Sequence, residues 1–344
     1  MNEIRAVAPT RVDFAGGTLD LWPIQRVLGV ESATVNVGVT LNAETRVSLT
    51  GSAEFEFESA DQAQKISGSW DDVVSYQPTR LIGSFARALW NPQWGGLRIC
   101  TTAQSPAGAG LGGSSALAVT LVGALARLAS ILGYKAAYSE DEMVNICSNT
   151  EAGIIQIPTG VQDYWGAMRG CVNVLTYPPE GVHVATFPTS EMTFLSERLV
   201  LCYSGKSRAS ARNNWDIFKA VFDKDKAVIH SLSDIAKSAQ SCAEAAKNLD
   251  WESFVEASRR EWMCREQLWP DIHSVETKSL AVAAEKAGAT FSRVCGAGGG
   301  GVMAILVEPQ HRDAVKAALG NAGGQVLEAN ISACGLHVTE GIDV

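Results

Sequence analysis

The sequence predicts an α+β protein built in two halves. Three observations carry that expectation. Segments rich in β-branched residues crowd the first hundred positions, a helical stretch runs from about 210 to 286, and strands and helices do not alternate regularly enough for a Rossmann sheet or a (β/α) barrel. A chain of 344 residues has room for one large domain or two ordinary ones, and the most turn-like interruption near its middle is TYPPEG at 176–181. The expected division is therefore an N-terminal domain of residues 1–185 and a C-terminal domain of residues 186–344.

Taken in order, IRAVAPTRVDF, ATVNVGVTL and ETRVSLT read as strands, and EFEFES has the strict alternation of a half-buried strand. A helix is predicted over 80–90 and a strand over Leu97–Ala103. A glycine-rich loop then opens into ALAVTLVGALARLASIL at 116–132, in which 13 of 17 residues are apolar. That run is shorter than the roughly 20 residues of a membrane span, carries Arg127, and is followed by the helix-ending Gly133, so a buried core helix is expected. A second helix covers about 140–154, and 162–176 is expected to return to short strands and turns. After the central turn come a strand at 198–204 and the long helical stretch, where SLSDIAKSAQSCAEAAKNL and DWESFVEASRREWMCREQL show helical apolar spacing. The chain closes with a strand (289–295), a glycine loop, a strand (301–307), a helix (310–320) and strands over 324–338.

Composition narrows the function. Lys plus Arg total 28 and Asp plus Glu 37, a formal charge of −9, and no basic run exceeds a pair; neither nucleic acid nor an anionic membrane is an expected partner. The eight cysteines form no CxxC pair and the five histidines are dispersed, which removes zinc-ribbon, thioredoxin-type and HExxH chemistry. MNEIRAVAPTRVDFAGG has no apolar signal-peptide core, so reduced thiols and a cytoplasmic setting are expected.

Four segments carry chemistry. PAGAGLGGSSA, from Pro106 to Ala116, puts four glycines into the six positions 108–113 before two serines open the apolar helix. Such a backbone suits N–H groups turned toward a phosphate at the positive end of a helix; a capped tight turn is the plainer reading. Gly108, Gly110 and Gly113 also satisfy GxGxxG, but no Asp or Glu occurs between Ser114 and Ser139, so a dinucleotide site is not expected. No Lys follows the glycines as in a Walker A loop, so Mg²⁺ would carry more of the phosphate charge. The second segment, CGAGGGGVM from Cys295, is either a flexible hairpin or the other wall of a phosphate-bearing cleft. The third, PTRVDFAGGTLD at 9–20, presents Arg11 on a strand and Asp20 beyond a Gly16-Gly17 turn, to a ligand or as a surface hairpin. In the fourth, TGVQDYWGAMRG at 159–170, Asp163 sits in an expected turn, 12 residues after Glu151 on a helix.

Together the four resemble the three sequence motifs and the catalytic-Asp stretch of the GHMP kinases, in the right order and along nearly the whole chain. PAGAGLGGSSA is similar to the phosphate-binding motif, with one inserted residue as in the heptose 7-phosphate kinase and fucokinase branch. YSGKSRAS at 203–210 and the helix from Glu261 into GAGGGG are similar to the heptose branch. Thr18-Leu19-Asp20 departs from it, standing where G-T-D is usual.

The resemblance implies a two-domain GHMP kinase fold, its N-terminal part ribosomal-protein-S5-domain-2-like and its C-terminal part ferredoxin-like. It implies ATP-dependent phosphorylation of a small-molecule hydroxyl, the anomeric one of a sugar, by a monomer or homodimer. Pro106, Gly108, Ala109, Gly110, Leu111, Gly112, Gly113, Ser114 and Ser115 would bind ATP. Ser115 and Glu151 would hold Mg²⁺, with Ser114 the alternative hydroxyl and a surface helix acid the plainer reading of Glu151. Asp163 and Arg11 would be catalytic; a carboxylate held by a guanidinium is a weak base, so positioning and electrostatics are expected to supply more of the rate than proton abstraction. Asp20, Gly17, Arg208, Gly298 and Gly299 would face the substrate, although Arg208 also reads as a solvated charge. Asp13 reads as structural, and Trp165 as the one tryptophan to touch a ligand. Two other functions stay open: a non-sugar kinase of the mevalonate type, against which Arg11 and Asp20 argue because mevalonate kinases carry Lys at the first position, and a sensor that has lost turnover.

Overall fold

A computed structural model describes residues 3–188, 193–207 and 211–341. Among them β1 (Ile4–Ala15) and β2 (Ala33–Leu49) form the long antiparallel pair at the centre of an eight-stranded sheet, joined through the single-turn α1 (Ile24–Val27). The hairpin of β3 (Phe55–Ser59) and β4 (Gln64–Gly68) follows, then α2 (Trp70–Ser75) and α3 (Arg80–Leu89). β5 (Leu97–Ala103) pairs antiparallel with β2 and parallel with β3.

The apolar run becomes α4 (Gly113–Ile131), which packs on β1 and β2 with α3, α5 (Glu140–Ile155) and α6 (Gln162–Arg169) around it. It is apolar on every face because every face is covered: 78% of its most hydropathic window is buried, and no other helix among the described residues is long and apolar enough to cross a membrane. α5 starts on a capping box in which Ser139 and Glu142 satisfy each other's backbone N–H groups. β6 (Val172–Thr176) and β7 (His183–Phe187) extend the sheet from the far end of β2.

The second layer begins with α7 (Thr193–Arg198) and β8 (Leu199–Tyr203). The helical stretch divides into α8 (Ala211–Phe222), α9 (Lys226–Lys247), α10 (Trp251–Leu268) and α11 (Val275–Lys286), with Asp225, Asp250 and Ser274 as side-chain N-caps of the last three. β9 (Ala289–Val294), β10 (Val302–Val307), α12 (Arg312–Asn321) and β11 (Gln325–Leu327) complete it, the second sheet running β11-β8-β10-β9. β10 is buried at every position, as expected of a central strand covered on both faces.

Two expectations need correction. Residues 162–176 do not return to strands and turns throughout, because Gln162–Arg169 is helix. Gly166, which read as a turn residue, is there because α6 crosses β1 so closely that a Cβ would lie 2.8 Å from the Arg11 Cβ. The strands expected over 324–338 are only β11 and β12 (His337–Glu340), and β12 leaves the second sheet to pair antiparallel with β1. Residue ranges alone therefore do not separate the sheets: the C-terminal strand belongs to the first.

Candidate active site

Arg11 and Asp13 alternate with Val12 and Phe14 along β1, so both charges face one side while the apolar pair enters the core. Arg11 is buried and meets Asp163 in the first turn of α6. Its Nε donates to Asp163 Oδ1 at 2.8 Å, Nη2 lies 2.5 Å from the same oxygen, and Nη1 donates to the Gly110 carbonyl at 2.7 Å. One guanidinium thus fastens the carboxylate and the glycine loop together. At Gly112, with φ of 71°, a Cβ would sit 3.1 Å from Asp163 Oδ2, so glycine is required twice over.

Ser114 and Ser115 do not cap α4. The N-cap is Gly112, without a side-chain cap, and both serines lie inside the first turn with their hydroxyls turned to α5. Ser114 donates to Glu151 Oε1 at 2.5 Å; Ser115 and the Tyr164 hydroxyl donate to Oε2 at 3.0 and 2.7 Å. Glu151 is therefore buried, not a surface acid. Burial pushes its carboxyl up while these three hydrogen bonds hold it down, and no ion pair reaches it among the described residues. A buried carboxylate without a counter-charge is costly, and a divalent cation on Glu151 and the serine hydroxyls would supply one. Among the described residues no group of three or more His, Cys, Asp or Glu could hold an ion. Water and phosphate oxygens would have to complete its shell, which is what Mg²⁺ prefers. The residues present fit Mg²⁺ arriving with a nucleotide, where it would neutralise phosphate charge.

Asp20 closes the opposite wall. Its neighbours Leu19 and Leu21 are buried with Ile24 against Ile217 and Val221 of α8 and Leu232 and Ile235 of α9, which fixes the turn and aims Asp20 inward. The Gln162 amide donates to Asp20 Oδ2 at 3.0 Å, and a Cβ on Gly160 would lie 2.1 Å from that oxygen. Burial pushes the Asp20 carboxyl up to about 6. The Gln162 Oε1 beside it is buried with no hydrogen-bond partner. Thr18, at the departure from the family pattern, adopts φ of 74°, unusual for a β-branched residue, and its hydroxyl donates to Asn214 Oδ1 at 3.2 Å.

Along one wall of the cavity, which Asp13 and Arg265 help to line, runs a charge network that sequence reading missed. Arg293 Nη2 lies 3.1 Å from Asp13 Oδ2 and Nη1 3.2 Å from Glu261 Oε2; Arg265 Nη2 lies 2.5 Å from Glu261 Oε1 and donates to the Gly17 carbonyl at 2.9 Å. Gly16 and Gly296 donate backbone N–H groups to Glu261 and Asp13 at 3.0 and 2.9 Å. Burial works against the Asp13 charge, but Arg293, Arg11 and Arg265 hold its carboxyl below the usual range. Asp13, which read as structural, ties the first motif to the last and also lines the cavity.

The two glycine loops do meet, Val302 N donating to the Ala109 carbonyl at 2.7 Å, and a Cβ at Gly301 would lie 2.5 Å from that oxygen. Arg11, Gly17, Asp20, Ser114, Ser115, Glu151 and Asp163 line one cavity of about 230 Å³, together with Thr18, Gln162, Tyr164, Asn214, Arg265, Gly296 and Ala297. Gly298 and Gly299, expected to face the substrate, do not line this cavity: a Cβ on Gly298 would strike Ile272, Gly299 donates to the Ile272 carbonyl, and the loop reaches the cavity through Gly296 and Ala297. Of the loop residues, Ala109, Gly110 and Leu111 are buried with their carbonyls occupied, whereas Gly108 is exposed and Pro106, Gly112 and Gly113 partly so. Trp165 is core, and its neighbour Tyr164 reaches the site instead. Arg208 lies outside the described residues.

Residues 79–171 match the family model described as the GHMP kinases N terminal domain, and residues 242–325 the one described as GHMP kinases C terminal. The chain belongs to the GHMP kinase family, whose members are ATP-dependent kinases of small molecules. It is 28% identical over 283 residues to the mevalonate kinase of Thermococcus onnurineus, covering 79% of this chain and 77% of that protein. It is 24% identical to the bifunctional fucokinase/GDP-fucose pyrophosphorylase of Arabidopsis thaliana, over 90% of this chain and 30% of that protein. The crystal structure of a D-glycero-D-manno-heptose 1-phosphate kinase from Bacteroides thetaiotaomicron is similar in fold, with a TM-score of 0.71 and 20% identity over 99% of this chain and 100% of that one.

Proposed function

We propose that this kinase transfers the γ-phosphoryl group of ATP to a sugar hydroxyl, the anomeric one, of a heptose 7-phosphate or fucose-like acceptor. One observation carries the sugar. At the acceptor end of the cavity the Asp20 carboxylate has no ion-pair partner among the described residues, and Gln162 Oε1 is an orphan acceptor. A polyol satisfies both with hydroxyl protons, whereas an acceptor carboxylate placed beside Asp20 would meet a like charge in a buried setting.

In this reading Asp163 orients the acceptor hydroxyl and takes its proton, and Arg11 fixes Asp163 and offsets charge on the phosphoryl group in flight. The uncapped amides at the start of α4 receive phosphate oxygens, and Ser115 and Glu151 hold Mg²⁺. In the same reading the domains are 1–185 and 186–344, with β12 returned to the first, and a cytoplasmic setting suits ATP as the donor. The test is ADP release with Mg-ATP against manno-heptose 7-phosphate, fucose, galactose, mannose, glucuronate and mevalonate, with Asp163→Asn as blank. A single sugar hit supports the proposal. Turnover of mevalonate alone replaces it with the second reading, which the similarity to the Thermococcus enzyme favours. Silence across the panel with ATP still bound favours the sensor.

A further inference from the structure

The reaction cavity is the small end of a longer groove. A second cavity of about 420 Å³ shares Asp20, Pro158 and Thr159 with it, and a third of about 760 Å³ shares Gln25, Arg26, Pro178 and Pro179 with the second. Small-ligand sites usually occupy about 300–1,000 Å³, so the 230 Å³ around Asp163 falls short of a whole site by itself.

The middle cavity carries an unusual side chain. Trp22, two residues beyond Asp20, is 73% exposed and makes no ring contact among the described residues. An aromatic ring left open at the mouth of a cavity is informative in a way that a scattered surface Leu is not. The lining also includes the amides and hydroxyl of Asn145, Ser148 and Asn149, and its charged residues are one acid, Asp20, and one base, Arg26. Unsatisfied polar atoms continue along the groove: Gln25 Oε1, between the second and third cavities, and Ser32 Oγ, in the third, are both buried without partners.

We propose that the groove is an outer acceptor subsite, and that the acceptor carries a second, uncharged polyhydroxylated unit beyond the phosphorylated ring. That unit rests its apolar C–H face on the Trp22 indole and turns its hydroxyls to Gln25, Asn145 and Asn149. A flat aromatic face with polar groups around its edge suits a sugar ring, apolar across its face and hydroxylated at its rim. The inference rests on the sugar-kinase reading and, within it, takes the fucose-like acceptor rather than the heptose 7-phosphate.

The test compares kcat and KM of the full-length protein for mannose and galactose with those for reducing disaccharides that end in the same sugars. KM for the disaccharide is expected to be about five- to tenfold lower, with kcat little changed. Trp22→Ala should reduce that ratio to about one, and Trp22→Phe should keep most of it; because the side chain is exposed, neither change threatens folding. Turnover of monosaccharides with no disaccharide advantage, or an advantage that survives Trp22→Ala, overturns the subsite and leaves the sugar kinase standing. A preference for a sugar phosphate, lost in Arg26→Ala and kept in Trp22→Ala, overturns it in favour of an anion site. No turnover of any sugar overturns both readings together.

Discussion

Arg11 and Asp163 are 152 positions apart in the chain, and their contact converts two motifs into a site. Asp163→Asn removes the proposed proton acceptor but keeps its shape, so turnover should fall by about 10²- to 10⁴-fold while the affinity for Mg-ATP, read by nucleotide titration, stays close to that of the wild type. Asp20 makes a prediction with a sign. Its folded-state pKa is raised from 3.8 to about 6, so the native state binds the proton more tightly than the unfolded chain and stability is lost as pH rises through that window. Ionised Asp20 then costs on the order of 3 kcal/mol above pH 6. Asp20→Asn should therefore raise the melting temperature more at pH 8 than at pH 4, while removing the pH-dependent fall in acceptor KM between about pH 5 and 7. A melting-temperature difference independent of pH would sink this account of Asp20. Most of these residues were legible in sequence because each sits in a recognisable motif. Tyr164 and Gln162 were not: they belong to the site only because 162–169 is helical, and the glycines around them had argued for a turn.

At the scale of elements, glycines bring backbones and charges together. Gly166 admits Arg11 beneath α6, Gly160 admits Asp20, and Gly112 admits Asp163 at the start of α4. Gly112→Ala forces an L side chain into a left-handed conformation and pushes on the Asp163 carboxylate. A displacement of about 1 Å at a reacting group costs up to about a hundredfold in rate, so kcat should fall at least tenfold while melting temperature changes by only a few degrees. Unchanged kcat would show that Asp163 need not stand where it does. Element positions followed the sequence closely where periodicity was long, as in α4 and α5, or where a strand was framed by turns, as in β5. The misreading of α6 has a physical origin, since a short helix with glycines for close packing has the same local composition as a turn.

At the scale of the whole molecule, the Asp13–Arg293–Glu261–Arg265 network locks the strand that carries Arg11 to β9, α10 and the third motif. It contains two acids and two guanidiniums, all buried, so its charges cancel only as a set. Glu261→Gln leaves the guanidiniums of Arg293 and Arg265 short of compensation, which should cost about 3–5 kcal/mol and lower the melting temperature on the order of 10 °C by scanning calorimetry. Burial screens the network from salt, so the loss should persist at high ionic strength; a variant as stable as wild type would remove Glu261 from the frame.

The sequence by itself determined the class of fold, the glycine loops, the buried helix and the charged residues proposed for the reaction, because each rests on local chemistry: periodicity, chain entropy, or a motif within about a dozen positions. Only the tertiary structure decided that β12 returns to β1, that Glu151 is buried between two serines and a tyrosine, that Gly296 and Ala297 rather than Gly298 and Gly299 reach the cavity, and that Trp22 stands over a groove leading away from Asp20. Those outcomes depend on which distant segments share one space, and no local pattern records the partner that a side chain meets a hundred or more residues away.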